Sequence, residues 1–135
     1  MKYLTFYDSD GKICLTFSGE ESIVEQVKQA NAQYYFYEGI YNADNYYFLN
    51  DAPTERPVQS TTLDKTEIAA NGADIITITS APTEAKFTAH NITKQVLIEG
   101  IFSETEVFST TATGTIRILI EKFPYKPFEA IVYAI

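Results

Sequence analysis

The sequence contains no tryptophan, one cysteine and one histidine. Each scarcity removes a class of chemistry. One cysteine, Cys14, excludes an intramolecular disulfide framework and any cysteine-based zinc cluster. One histidine, His90, cannot supply a histidine-rich metal site. Nothing pairs Cys14 with a base, so it is read as a small apolar residue buried in a strand. Basic residues are also few: ten Lys and Arg stand against eighteen Asp and Glu, a net charge of −8. With no basic stripe to neutralise phosphates, a nucleic-acid partner is not expected, and an anionic membrane surface is disfavoured for the same reason. No apolar run approaches the ~20 residues that span a bilayer. The opening residues, MKYLTFYDSDGK, reach Asp8 and Asp10 too soon for a secretory signal.

Catalytic signatures are missing as well. No Gly-rich phosphate loop and no GxSxG nucleophile elbow occur. The carboxylates fall on turns and on alternate strand positions, where they solvate a surface. The chain is therefore expected to be no enzyme and to need no metal or cofactor. Asn91-Ile92-Thr93 has the form of a glycosylation acceptor but is read as a loop. Asp8-Ser9-Asp10-Gly11 has the opening of a calcium loop without its flanking helices or downstream Glu, and is read as a hairpin turn.

What the sequence does hold is strand-forming residues: ten Tyr and nine Phe beside many Ile, Val and Thr. Tyr3–Tyr7 and Lys12–Phe17, either side of that acidic turn, predict a first hairpin. The stretch from Ser18 to Ala30 is the one helical candidate, with Ser18 as cap and Ile23, Val24 and Val27 on one face. Gln33–Glu38 and Asn45–Leu49 read as a second hairpin. Their aromatics either fill the core of a small module or form an exposed contact surface; Tyr34, Tyr35, Tyr37, Tyr41, Tyr46 and Tyr47 are the candidate partner-binding residues. Residues 53–59, with two prolines and no apolar periodicity, read as a linker. The predicted organisation is a β-rich aromatic module over 1–52, that linker, and a domain over 60–135.

Beyond the linker, strands recur at short spacing. Leu63–Ala69 and Asp74–Ser80 flank a turn signal at Asn71-Gly72. Ala85–Ala89, Gln95–Glu99, Glu106–Ser109, Thr115–Lys122 and Phe128–Ala134 follow, with Pro124 and Pro127 at a corner before the last. Seven short strands with turns every eight to twelve residues predict an immunoglobulin-like antiparallel β-sandwich, without the Cys and Trp of true immunoglobulin domains. The overall expectation is a mainly β chain with one short helix.

The run Pro57-Val58-Gln59, Thr62-Leu63-Asp64-Lys65-Thr66, Ile68 to Asp74, Thr77-Ile78-Thr79 and Pro82 is similar to a segment in tail-associated proteins of tailed bacteriophages and prophages. There it opens a small immunoglobulin-like sandwich, and the corner at Pro124-Tyr125-Lys126-Pro127 with its final strand looks like that family too. The resemblance spans about the last 75–80 residues, and the first 55 loosely. It departs at Thr83-Glu84 and at the Gly-poor stretch from His90 to Gly100. It rests on turn and strand residues, so no functional residue transfers. It implies a non-enzymatic structural protein of the virion tail, made in the bacterial cytoplasm. Its partners would be other tail or fibre subunits, with surface glycans and self-association as further options. Two alternatives stay open: a carbohydrate-binding module with a platform of Tyr34, Tyr35, Tyr37, Tyr46 and Tyr47, and an assembly chaperone absent from the virion.

Overall fold

A computed structural model describes residues 1–103 and 105–135. Among these, β-strands dominate and one short helical segment occurs. The chain divides into two compact units, Met1–Arg56 and Pro57–Ile135.

In the first unit, β1 (Lys2–Tyr7) and β2 (Ile13–Gly19) form the expected antiparallel hairpin. Its turn is built by the acidic segment. The Asp8 carboxylate accepts the N–H groups of Asp10 (2.9 Å) and Lys12 (3.0 Å), and Gly11 adopts φ +85°. Only glycine takes that φ without strain. β2 alternates Ile13 inward and Cys14 outward, so Cys14 is exposed and not the buried residue expected from its apolar neighbours.

The helical segment is shorter than its sequence pattern. It runs as a 3₁₀ turn, Glu21–Ile23, into α1 (Val24–Ala30). Ser18 caps nothing: it pairs with Tyr3 in the β1–β2 ladder. Pairing with a neighbouring strand outweighs a local capping preference. Val24 is buried against Leu4 and Phe6 and docks α1 on the sheet.

The second predicted hairpin does not form. β3 (Tyr35–Glu38) pairs with β1, giving a three-stranded sheet of order β2-β1-β3. β4 (Tyr46–Leu49) pairs instead with β5 (Ala52–Glu55), through a two-residue turn in which Asn50 and Asp51 both have positive φ. Positive φ at both central residues, with Asn and Asp there, is the geometry of a tight hairpin turn. The segment read as a linker from residue 53 thus begins inside a strand. Pro53 is tolerated because β5 is an edge of a two-stranded ladder.

The second unit is a sandwich of two sheets. Its strands are β6 (Thr62–Leu63), β7 (Glu67–Ile68), β8 (Ile76–Thr79), β9 (Lys86–Asn91), β10 (Val96–Ile101), β11 (Thr105–Phe108), β12 (Gly114–Glu121) and β13 (Phe128–Ala134). One sheet has the order β10-β9-β12-β13-β7 and the other β11-β8-β6. This grouping is that of an immunoglobulin-like sandwich. Ile76, Ile78 and Phe108 from the small sheet interleave with Phe87, Ala89, Ile116, Ile118, Ile120 and Val132 from the large one. Inward residues alternate with outward ones along β8, β9, β12 and β13, as a half-buried sheet requires.

The predicted first strand, Leu63–Ala69, is split. Leu63 pairs with Ile78 in the small sheet, whereas Glu67 and Ile68 run parallel to Tyr133 and Ala134 in the large one. The run therefore crosses between sheets and supplies the only parallel pairing among the described residues. Asn71-Gly72 does form a turn: Asn71 Oδ1 accepts the N–H groups of Ala73 and Asp74, and Gly72 has φ +74°.

Candidate functional site

Of the residues singled out from the sequence, the aromatics of the first unit are the ones the fold gathers. β3 carries four consecutive exposed residues, Tyr35, Phe36, Tyr37 and Glu38, and forms a free edge of its sheet. Strand alternation sends Tyr35 and Tyr37 to one face and Phe36 to the other. Their exposures are 55%, 49% and 37% for Tyr35, Phe36 and Tyr37. Three large, half-exposed aromatics thus stand at one edge.

Behind Tyr35 and Tyr37 lies a packed aromatic cluster. Tyr7 and Phe48 stack with ring centroids 4.1 Å apart and planes within 4°. Tyr35 stacks on Tyr7 at 5.6 Å. Tyr37 and Tyr41 meet Phe48 at 5.4 and 5.8 Å, and Tyr41 meets Tyr46 edge-on at 5.4 Å. The buried phenol of Tyr7 donates to Asp51 Oδ1 at 3.1 Å. Burial first, and that bond second, push its pKa up to about 12.

Four of the six candidate tyrosines are thus brought together, and Tyr34 and Tyr47 are not. Tyr37, Tyr41 and Tyr46 surround Phe48, while Tyr35 lies at the edge above Tyr7. Tyr34 packs with Leu4, Phe6 and Val24 on the helix side of the sheet. Tyr47, half-buried, falls on the face of β4 opposite Tyr46 and Phe48. Phe36 was missed as a candidate. It sits 6.5 Å from Phe6, and Lys28 Nζ lies 4.3 Å from its ring centre, a cation–π contact that holds one side of the ring. The signal was present in the sequence, because four consecutive aromatics in a strand must occupy both faces.

Beside this edge a concavity of about 370 Å³ is lined by Tyr7, Asp8, Asp10, Tyr35, Phe48 and Asp51, among others. Two of its three carboxylates have structural employment: Asp8 closes the turn and Asp51 accepts from Tyr7. Among the described residues no group of three or more His, Cys, Asp or Glu is placed to hold a metal ion. Cys14 lies in the first unit and His90 in the second. Local desolvation around the Cys14 sulfur, followed by the Asp8 carboxylate, raises the thiol pKa, the direction opposite to an activated nucleophile. His90 lines a shallow concavity of about 270 Å³ on the outer face of the large sheet, with Asn91, Thr115, Arg117 and Ile131.

Among the described residues no helix is long and apolar enough to cross a membrane. No family model, no curated protein and no solved structure matches the chain.

Proposed function

We propose that the chain is a non-enzymatic adaptor of a phage or prophage tail that joins subunits through protein–protein contacts made by its N-terminal unit. The observation that carries this reading is the β3 edge. Four exposed residues, three of them aromatic, line a strand whose outer backbone groups face no further strand of the sheet. An extended partner segment can pair with that edge, and the aromatics on its two faces supply contact area. The assignment to a tail is supported by the similarity of Pro57 to Pro82, and of the Pro124–Pro127 corner, to tail-associated proteins. In such an adaptor the sandwich acts as a spacer domain.

The test is mass spectrometry of purified tail particles from the source strain. The protein should be present in a fixed ratio to the structural subunits. Its absence from particles, with presence in the producing cells, sinks the adaptor reading and favours an assembly chaperone. Particles carrying Tyr35→Ser and Phe36→Ser should lose the protein if β3 is the contact.

A further inference from the structure

We infer that β10, the free edge of the large sheet, is a homodimerisation strand that pairs antiparallel with β10 of a second copy. This surface lies in the other unit from β3, so the inference stands or falls independently of the adaptor reading.

β10 is six residues long, Val96-Leu97-Ile98-Glu99-Gly100-Ile101, and every residue is exposed. Ile101 and Val96 are 65% and 52% exposed. Edge strands are ordinarily blunted by shortness, proline, charged side chains (lysine above all) or bulges, and β10 has one charge, already paired, and one bulge at its start. β7, at the opposite edge of the same sheet, is blunted by shortness, with two residues. β10 has no proline and no lysine, and its one irregularity is a bulge between Val96 and Ile98. Beyond that bulge the ladder is regular. Phe102 N–H donates to Ala85 O at 2.7 Å, toward β9. Backbone direction alternates along a strand, so the N–H and C=O groups of Ile101 and Glu99 point away from β9, to the open edge. An array of this kind is completed by another strand and by nothing else as fully.

Charge leaves this edge open to a second copy, and the antiparallel two-fold pairing makes the same strand its own complement. A net charge of −8 makes most surfaces of two copies repel. At β10 the one carboxylate, Glu99, is matched by Lys86 at 3.4 Å, and Lys94 stands at the strand's approach. The edge is locally balanced and apolar. Opposed residues in an antiparallel pair share a face, so the allowed registers set Ile98 and Gly100 against inward-facing residues of the partner. The register placing Glu99 against Glu99 is disfavoured by like charge. A two-fold axis through this edge is closed. It consumes the long free edge of each sheet and leaves only the two-residue β7 at either end, so it makes a dimer and not a fibre.

The experiment is sedimentation velocity and light scattering on the full chain, from micromolar to millimolar concentration. The mass should rise from 15.2 kDa toward twice that value. Ile101→Pro removes an N–H that faces only the open edge, and Ile101→Lys installs a natural edge blocker. Each should weaken the dimer at least about tenfold with an unchanged circular dichroism spectrum. If the proline variant misfolds, the lysine variant decides. A wild-type chain that remains at monomer mass throughout overturns the inference, whether or not it binds other proteins. So does a dimer that both folded variants leave intact.

Discussion

Asp74 and Lys65 close the stretch from Thr61 to Pro82 across its base. The Lys65 Nζ lies 2.6 Å from Asp74 Oδ1, and Asp74 Oδ2 accepts the Ala69 N–H at 2.9 Å. Lys65 first, then the Ala69 N–H, hold the carboxyl below its ordinary pKa. The stabilisation is therefore present above the ordinary carboxylate value, about 4, and is lost as pH falls through the lowered one. Asp74→Asn should unfold at lower denaturant concentration than wild type at pH 7. The gap should narrow as pH falls below the ordinary carboxylate value. Urea titrations at a series of pH values measure it, and a gap independent of pH would show that the bonds contribute through shape alone.

At the other end of the pH scale, Tyr7 gives the opposite sign. Its folded pKa of about 12 lies above the ordinary phenol value of about 10. Its contribution is whole below pH 10 and is lost as pH rises from there toward 12. Tyr7→Phe should be less stable than wild type at neutral pH, because Asp51 loses its donor, and should lack this alkaline loss. Tyrosinate absorbance followed during an alkaline titration gives the check.

Gln59 is buried, and its side-chain amide donates to the carbonyls of Ile120 (2.8 Å) and Lys126 (2.9 Å) while its oxygen accepts from Thr61 (2.7 Å). It pins the start of the sandwich to the end of β12. Gln59→Ala leaves these groups unmet and should cost about 1–3 kcal/mol by chemical denaturation. A change near zero would mean that water replaces the amide.

Gly11 adopts φ +85°, and a Cβ there would overlap Phe48 O. The same residue's carbonyl accepts the Phe48 N–H at 2.8 Å. Gly11→Ala must strain the turn and push β4 away. The expected loss is upward of about 1–3 kcal/mol, visible as disturbed Tyr7 and Phe48 resonances while signals from Ile116 and Ile118 stay in place.

These four positions also show what could be read from sequence. β13 was legible to the residue, since alternation and a preceding proline define it. The acidic turn at Asp8–Gly11 was legible because its chemistry is local. Pairing was not. The Tyr-rich strands β3 and β4 could be joined to each other or to elements elsewhere, and nothing local distinguishes β1 and β5 as their partners. Pro53 and Pro57 suggested a linker, yet Pro53 sits in an edge strand and Gln59 is an anchor, two roles set by distant residues. For the candidate site, the aromatic content was plain and its distribution was not: alternate faces and a free edge are consequences of β3 lying outside β1.

The crossing of the run from Thr62 to Ile68 between sheets has a mechanical consequence. β7 lies parallel to β13, joined by Tyr133 N–H to Thr66 O (2.9 Å), Ile135 N–H to Ile68 O (2.9 Å) and Ala70 N–H to Ile135 O (2.8 Å). Once the anchors at Gln59 and β6 give way, a pull between the N-terminal side of Thr66 and Ile135 drags two parallel strands past each other along their length. The three bonds are then loaded together in shear, and none can peel before the others. The last strand of the sandwich is clasped to the segment that crosses between its sheets, so tension at Ile135 meets a shear-loaded lock.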